Sequence, residues 1–122
     1  MRVGPVVPIL RIFDAAKARE FYLDFLGFSV DWEHRFEPEL PLYLQVSRSD
    51  CRLHLSEHHG DACPGSALRI EVDDIDGLLA ELMQRLYGFA RPQIMETPWG
   101  SRDIALTDPF GNRLCFTSAI ST

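Results

Sequence analysis

The sequence repeats itself at an interval of sixty residues. Val7-Pro8-Ile9-Leu10-Arg11-Ile12-Phe13-Asp14 is answered by Ala67-Leu68-Arg69-Ile70-Glu71-Val72-Asp73-Asp74. In both copies the apolar side chains alternate, as Pro8, Leu10, Ile12 and as Leu68, Ile70, Val72. A period of two is that of a strand with one buried face. Repetition constrains the fold strongly, because each copy must be one supersecondary unit that buries its apolar face with its neighbour. Each strand runs into an aspartate, Asp14 or Asp74, whose carboxylate can accept from a free N–H in the first turn of a helix.

Helical spacing follows each cap. Ala15, Ala18, Phe21, Tyr22, Phe25 and Leu26 form one stripe, and Ile75, Leu78, Leu79, Leu82, Met83 and Leu86 form the other. Such three-to-four spacing predicts amphipathic helices over 14–26 and 74–87. Both end at a glycine followed by an aromatic, Gly27-Phe28 and Gly88-Phe89, and glycine takes the left-handed conformation past a helix end cheaply. Short strand-like runs come next: 28–33, 42–47 and 52–56 in the first half, 93–97, 102–107 and 113–118 in the second. Ser47-Arg48-Ser49-Asp50 reads as a turn. Asp108-Pro109-Phe110-Gly111 reads as a stronger one, with Asp, Pro and Gly in the places a type I turn favours.

The expected fold is therefore α+β: tandem β-α-β-β-β halves, 1–57 and 66–122, joined by a linker over 58–65, forming a curved mixed sheet with a cleft. At 122 residues the chain fits one domain. Its net charge of −6, from 18 acids against 12 bases, offers no basic face to phosphates, so no nucleic-acid partner is expected. No apolar run approaches the ~18 residues needed to span a bilayer, so no membrane partner is expected. Three cysteines, Cys51, Cys63 and Cys115, without a secretory leader point to free thiols and a cytoplasmic location.

In this order of elements, Glu20-Phe21-Tyr22 and Leu26-Gly27-Phe28 resemble the first helix and its exit in the vicinal oxygen chelate superfamily. That superfamily holds glyoxalase I, extradiol dioxygenases and bleomycin resistance proteins. Val7-Pro8-Ile9-Leu10 resembles the first strand of the bleomycin resistance proteins. Thr97-Pro98-Trp99-Gly100, followed by Asp108-Pro109-Phe110-Gly111-Asn112, resembles their C-terminal signature. The resemblance runs through the whole chain and is weakest over 34–65. It implies a homodimer with a ligand cleft between two chains, often with the first strand exchanged. Pro5 and Pro8 suit such an edge strand, since proline donates nothing to a ladder.

Metal-dependent members of the superfamily use four ligands, two per half. By motif those positions fall on Val7, His54, Ala67 and Cys115. Val7 and Ala67 cannot ligate, and two remaining donors do not make a Zn²⁺ or Fe²⁺ site. No metal, no cofactor and no catalytic residue is therefore expected. The alternative reading is a metal-dependent glyoxalase- or dioxygenase-type enzyme. His54-Leu55-Ser56-Glu57-His58-His59 stays open between a ligand-contacting strand residue, a metal site and the start of a solvated linker. A Cys115–His54 nucleophile pair is a further possibility.

Without a metal, the cleft is a binding pocket. Trp32, Phe36 and Trp99 are its candidate aromatic walls, Trp99 because a large ring in a Pro/Gly turn is poorly placed for core packing. Asp31, Glu33, Glu37 and Glu39, against the single Arg35, suit a flat cationic guest through stacking and charge. The expected ligand-binding set is Trp99, Trp32, Phe36, Glu37, His54 and Cys115. The expected function is sequestration of a bleomycin-like cationic glycopeptide, conferring antibiotic resistance.

Overall fold

The computed structural model describes residues 1–85 and 91–120. The first half holds β1 (Ile9–Arg11), α1 (Ala15–Arg19) running on into a π-helical segment (Glu20–Phe25), β2 (Ser29–His34), β3 (Tyr43–Arg48) and β4 (Cys51–Ser56). The second holds β5 (Ala67–Glu71), α2 (Ile75–Arg85), β6 (Met95–Glu96), β7 (Ser101–Thr107) and β8 (Arg113–Ala119). Each half makes a four-stranded mixed sheet with the same strand order, β1-β4-β3-β2 and β5-β8-β7-β6. In each, the opening strand pairs parallel to the last strand and the other pairings are antiparallel. The sixty-residue repeat is thus a repeat of topology.

Both aspartates cap as expected. The Lys17 N–H donates to Asp14 Oδ1 at 3.0 Å and the Gly77 N–H to Asp74 Oδ1 at 2.9 Å. The first helix differs from the expected uniform α-helix, because it widens into π geometry at Glu20, closed by the Leu26 N–H on the Phe21 carbonyl at 3.0 Å. The i→i+5 bonding of the wider turn lets Phe21, Tyr22, Phe25 and Leu26 all be buried.

In the second helix Ile75, Leu78 and Leu82 are buried, but Met83 is 56% exposed. One residue past Leu82, it is turned about 100° away from the core-facing line of a 3.6-residue helix. The expected end of this helix near 87, with Leu86 and Gly88-Phe89, lies outside the described residues. Strand limits also shift: the expected strand over 93–97 contracts to Met95–Glu96, and the first strand is only Ile9–Arg11. Val7 lies outside it.

One core joins the halves. Leu10, Ile12, Leu44, Val46, Leu53 and Leu55 from the first half and Ile104, Leu106, Leu114 and Phe116 from the second belong to a single buried cluster together with residues of both helices. A buried polar hub ties the two together. Tyr22 donates its hydroxyl to Asp108 Oδ2 at 2.6 Å, and the Phe110 and Asn112 N–H groups donate to Asp108 Oδ1 at 2.8 Å. Asn112 Nδ2 donates to Asp108 Oδ2 at 2.8 Å and to the Arg11 carbonyl at 2.9 Å. The expected turn at 108–111 is what builds this hub. Its Gly111, at φ +89°, donates its N–H back to the Asp108 carbonyl at 3.3 Å.

Burying one face of each sheet decides the other. With Leu44, Val46, Leu53 and Leu55 inward, alternation turns Tyr43, Gln45, Ser47 and His54 to the far side. With Ile104, Leu106, Leu114 and Phe116 inward, Asp103, Ala105, Cys115 and Thr117 are turned outward with Arg69 of β5. These two outer faces hold polar and aromatic side chains that do not enter the core.

Candidate binding site on the two outer sheet faces

On the first sheet an extra residue interrupts β2. Val30 pairs with Val46 and Trp32 with Gln45, leaving Asp31 as a bulge. A bulge re-aims side chains, and here both Asp31 and Trp32 reach the outer face. The Trp32 ring lies parallel to Tyr43, centroids 5.9 Å apart and planes at 7°, and the His54 ring stands edge-on to both at 5.2 Å. Trp32 stays 43% exposed. It is therefore part of an aromatic platform rather than of the core.

The platform is wired by hydrogen bonds. Tyr43 Oη lies 2.6 Å from His54 Nδ1, His54 Nε2 lies 2.9 Å from Gln45 Oε1, and Gln45 Nε2 donates to Asp31 Oδ2 at 2.9 Å. The Ser47 hydroxyl donates to Asp31 Oδ1, also at 2.9 Å. Hydrogen bonds from Gln45 and Ser47 hold the Asp31 carboxyl below the usual carboxylate range. Burial lowers His54 and favours the neutral ring. Burial, then the charge of Asp61, raises the Tyr43 phenol.

Beyond β2 lie Phe36 and Glu37. Phe36 is 73% exposed, with its ring edge-on to His34 at 4.5 Å. Glu37 is exposed, and Arg35 folds the segment by donating to the Pro38 and Leu40 carbonyls at 3.1 and 2.9 Å. Two of the four acids expected to face a cationic guest already have partners within the chain. Asp31 is bonded to Gln45 and Ser47, and Glu33 forms an ion pair with Arg19. Cross-strand and helix neighbours, invisible in a linear count of charges, have already engaged half of the row.

On the second sheet Cys115 sits beside Asp103 and Arg69. Asp103 accepts from Thr117 Oγ1 at 2.6 Å and Ser101 Oγ at 2.9 Å, and Arg69 lies 3.5 Å from its Oδ2 and 3.6 Å from Cys115 Sγ. Burial and then Asp103 push the Cys115 thiol up, opposite to what a nucleophile needs. Trp99 stands on the β6–β7 turn and is 71% exposed. That turn is closed by Thr97 and Ser101, whose side-chain oxygens are 2.8 Å apart, with Gly100 at φ +93°.

The six expected residues thus divide between the two faces and their adjoining loops. Trp32 and His54 come together, Phe36 and Glu37 follow on the same side, and Cys115 and Trp99 belong to the other sheet. No described hydrogen bond, ion pair or ring contact links the two groups. The Cys115–His54 nucleophile pair is therefore not assembled within one chain. Sequence reading missed Tyr43, Gln45, Arg69, Asp103 and Thr117. The first two were signalled by polar residues alternating with Leu42, Leu44 and Val46.

The four family ligand positions do not fit a metal. Val7 and Ala67 have no donor atom, and both nitrogens of His54 are held by Tyr43 and Gln45. Among the described residues no three His, Cys, Asp or Glu side chains converge as a metal set. A groove of about 710 Å³ between the halves, lined by Leu26, Phe28, Arg48, Cys51, Ile70 and Phe116 among others, contains none of the six residues. The three cysteines are free, and no helix among the described residues is long and apolar enough to cross a membrane.

This pairing of modules with open outer faces is the architecture of one superfamily, and the sequence agrees. The family model described as "Glyoxalase superfamily protein" matches residues 2–121, and the chain belongs to that superfamily. Among solved structures, it is 30% identical to the bleomycin-binding protein of bleomycin-producing Streptomyces verticillus, determined with copper(II)-bleomycin. That match has a TM-score of 0.71 and covers 100% of this chain and 99% of the other. It is 27% identical to TnmS3, an antibiotic binding protein from Streptomyces sp. CB03234, with a TM-score of 0.73 and 98% of each chain covered. The bleomycin resistance determinant encoded on transposon Tn5 shares the fold, with 20% identity, a TM-score of 0.75 and coverage of 96% of this chain and 98% of that one. Among curated proteins none matches the sequence.

Proposed function

We propose that this chain is a metal-free binding protein that sequesters a flat, cationic small molecule of the bleomycin type in the cytoplasm and so confers resistance. The observation that carries the reading is the Trp32–Tyr43 stack, flanked by His54 on an uncovered sheet face. Whole-length similarity to a bleomycin-binding protein supports it. Ligand contacts are assigned to Trp99, Trp32, Phe36, Glu37, His54 and Cys115.

These groups lie on separate faces of one chain, so the reading calls for a homodimer. Reciprocal pairing would set the first-sheet face of one protomer against the second-sheet face of its partner. Light scattering at micromolar concentration should give the mass of two chains, and a one-chain mass would contradict this arrangement.

Calorimetric titration with metal-free and copper-loaded bleomycin tests the function. Stacking of a ligand ring on an aromatic side chain contributes about 1–3 kcal/mol, so Trp32→Ala and Trp99→Ala should each weaken binding about tenfold or more. Glu37→Gln should do less, and its effect should shrink as salt rises, since exposed charges are screened within about 10 Å at 0.1 M. Binding unaffected by either tryptophan change would remove that ring from the site. Absence of wild-type binding would remove bleomycin as the ligand.

A further inference from the structure

The wired platform on the first sheet has a direction, and one residue sets it. This step rests on the reading of that face as the binding surface. Asp31 is a carboxylate and can only accept. Gln45 must therefore turn its amide nitrogen toward it, as the 2.9 Å contact has it. That leaves Gln45 Oε1 facing His54 Nε2 at 2.9 Å. An amide oxygen also only accepts, so Nε2 carries the imidazole proton. A neutral imidazole has one N–H, so Nδ1 keeps its lone pair and takes the Tyr43 proton across 2.6 Å. Every donor along this relay points toward Asp31. Ser47 fills the other Asp31 oxygen and holds the carboxylate in place.

We infer that Asp31 is a positioning residue that commits the Tyr43 proton to His54, so that the Tyr43 oxygen meets a ligand as an acceptor and the site selects flat ligands carrying N–H groups. The phenol proton is used inward, and the oxygen's lone pairs are what the platform offers. The Trp32 ring lies parallel to Tyr43 with centroids 5.9 Å apart, so a guest lying against this pair would have that oxygen near its edge. An amide, amidinium or ammonium at the edge of the guest finds an acceptor there. A quinone, ester or carboxylate oxygen finds lone pair against lone pair.

Two readouts test this without relying on bleomycin. Long-range ¹H–¹⁵N spectra of the His54 ring should show the Nε2–H tautomer in the wild type. In Asp31→Asn they should show a mixture, because an asparagine can offer Gln45 either its oxygen or its nitrogen. Calorimetry with 2-naphthamide and methyl 2-naphthoate, a neutral pair sharing one ring system, reads the selection. A well-placed hydrogen bond, as against an unmatched acceptor pair, should favour the amide by about tenfold in the wild type, and Asp31→Asn should erase most of that preference.

Adding Gln45→Glu to Asp31→Asn sets a carboxylate directly against His54 Nε2, and should restore both tautomer and preference. A merely structural Asp31 would not be rescued this way. A wild-type Nδ1–H tautomer, or an unaltered tautomer in Asp31→Asn, overturns the direction of the relay. Equal binding of the two probes, or binding of neither, overturns the selection. Failure of bleomycin to bind while the probe preference holds removes the antibiotic and leaves the polarity of the site in place.

Discussion

Asp108→Ala should destabilise the protein by about 3–5 kcal/mol, the range seen when one partner of a buried, fully bonded polar set is removed. Asp108 is only 4% exposed. Its two oxygens accept from the Tyr22 hydroxyl, the Asn112 amide and the N–H groups of Phe110 and Asn112. Alanine leaves those donors without their acceptor in a site water cannot easily enter. Tyr22→Phe removes one donor together with its bond and should cost only about 1–2 kcal/mol. In the double variant the two losses should not add, because the residues share one network. Urea denaturation of the four proteins measures this through the midpoints. A loss below about 1 kcal/mol for Asp108→Ala, near the value of one ordinary hydrogen bond, would mean that the hub is replaceable by solvent.

Phe21→Ala should match or exceed that loss, at about 3–5 kcal/mol for an emptied aromatic site. Phe21 is completely buried in the π-helical segment. It stands edge-on to Tyr22 with centroids 5.0 Å apart, and tilted against Phe25 at 5.8 Å. Deleting the ring removes packing from the residue that also carries the hub hydroxyl, so disorder should spread to the junction of the halves. Calorimetric melting should fall by roughly 10 °C or more for a chain of this size. Phe21→Leu should fall much less, since it retains most of the apolar volume. Equal effects of the two substitutions would show that the loss comes from the helix itself and not from the cavity.

Features written in local spacing are legible in the sequence itself. Strand alternation around Leu10 and Leu68, the caps at Asp14 and Asp74, and the turn at Asp108 each depend on residues within a few positions. The repeat then forces two similar modules. Features that depend on pairing between distant segments are not legible. Nothing adjacent to Asp31 marks it as an extra residue, because the bulge exists only relative to β3. The partners of His54 arrive from nine and eleven residues away across the pairing of β3 with β4. The partners of Asp31 and Glu33 escape a sequence reading for the same reason, since Gln45, Ser47 and Arg19 reach them only in the folded chain. The π widening at Glu20 escapes a sequence reading because Phe21, Tyr22, Phe25 and Leu26 fit an α-helical stripe nearly as well.

The bulge in β2 has a genetic consequence. A regular strand shows only every second side chain to one face, yet here a carboxylate and an indole from neighbouring residues share a side. Ladder pairing resumes in step past the extra residue, Trp32 with Gln45 and His34 with Tyr43. One in-frame triplet at position 31 can therefore be gained or lost without turning Trp32 inward or moving the core. Loss of that codon would leave the stacking rings standing and release Gln45, His54 and Tyr43 to reverse their donors. On the proposed reading, a single triplet insertion or deletion would thus change the hydrogen-bonding polarity of this face and leave its stacked rings in place.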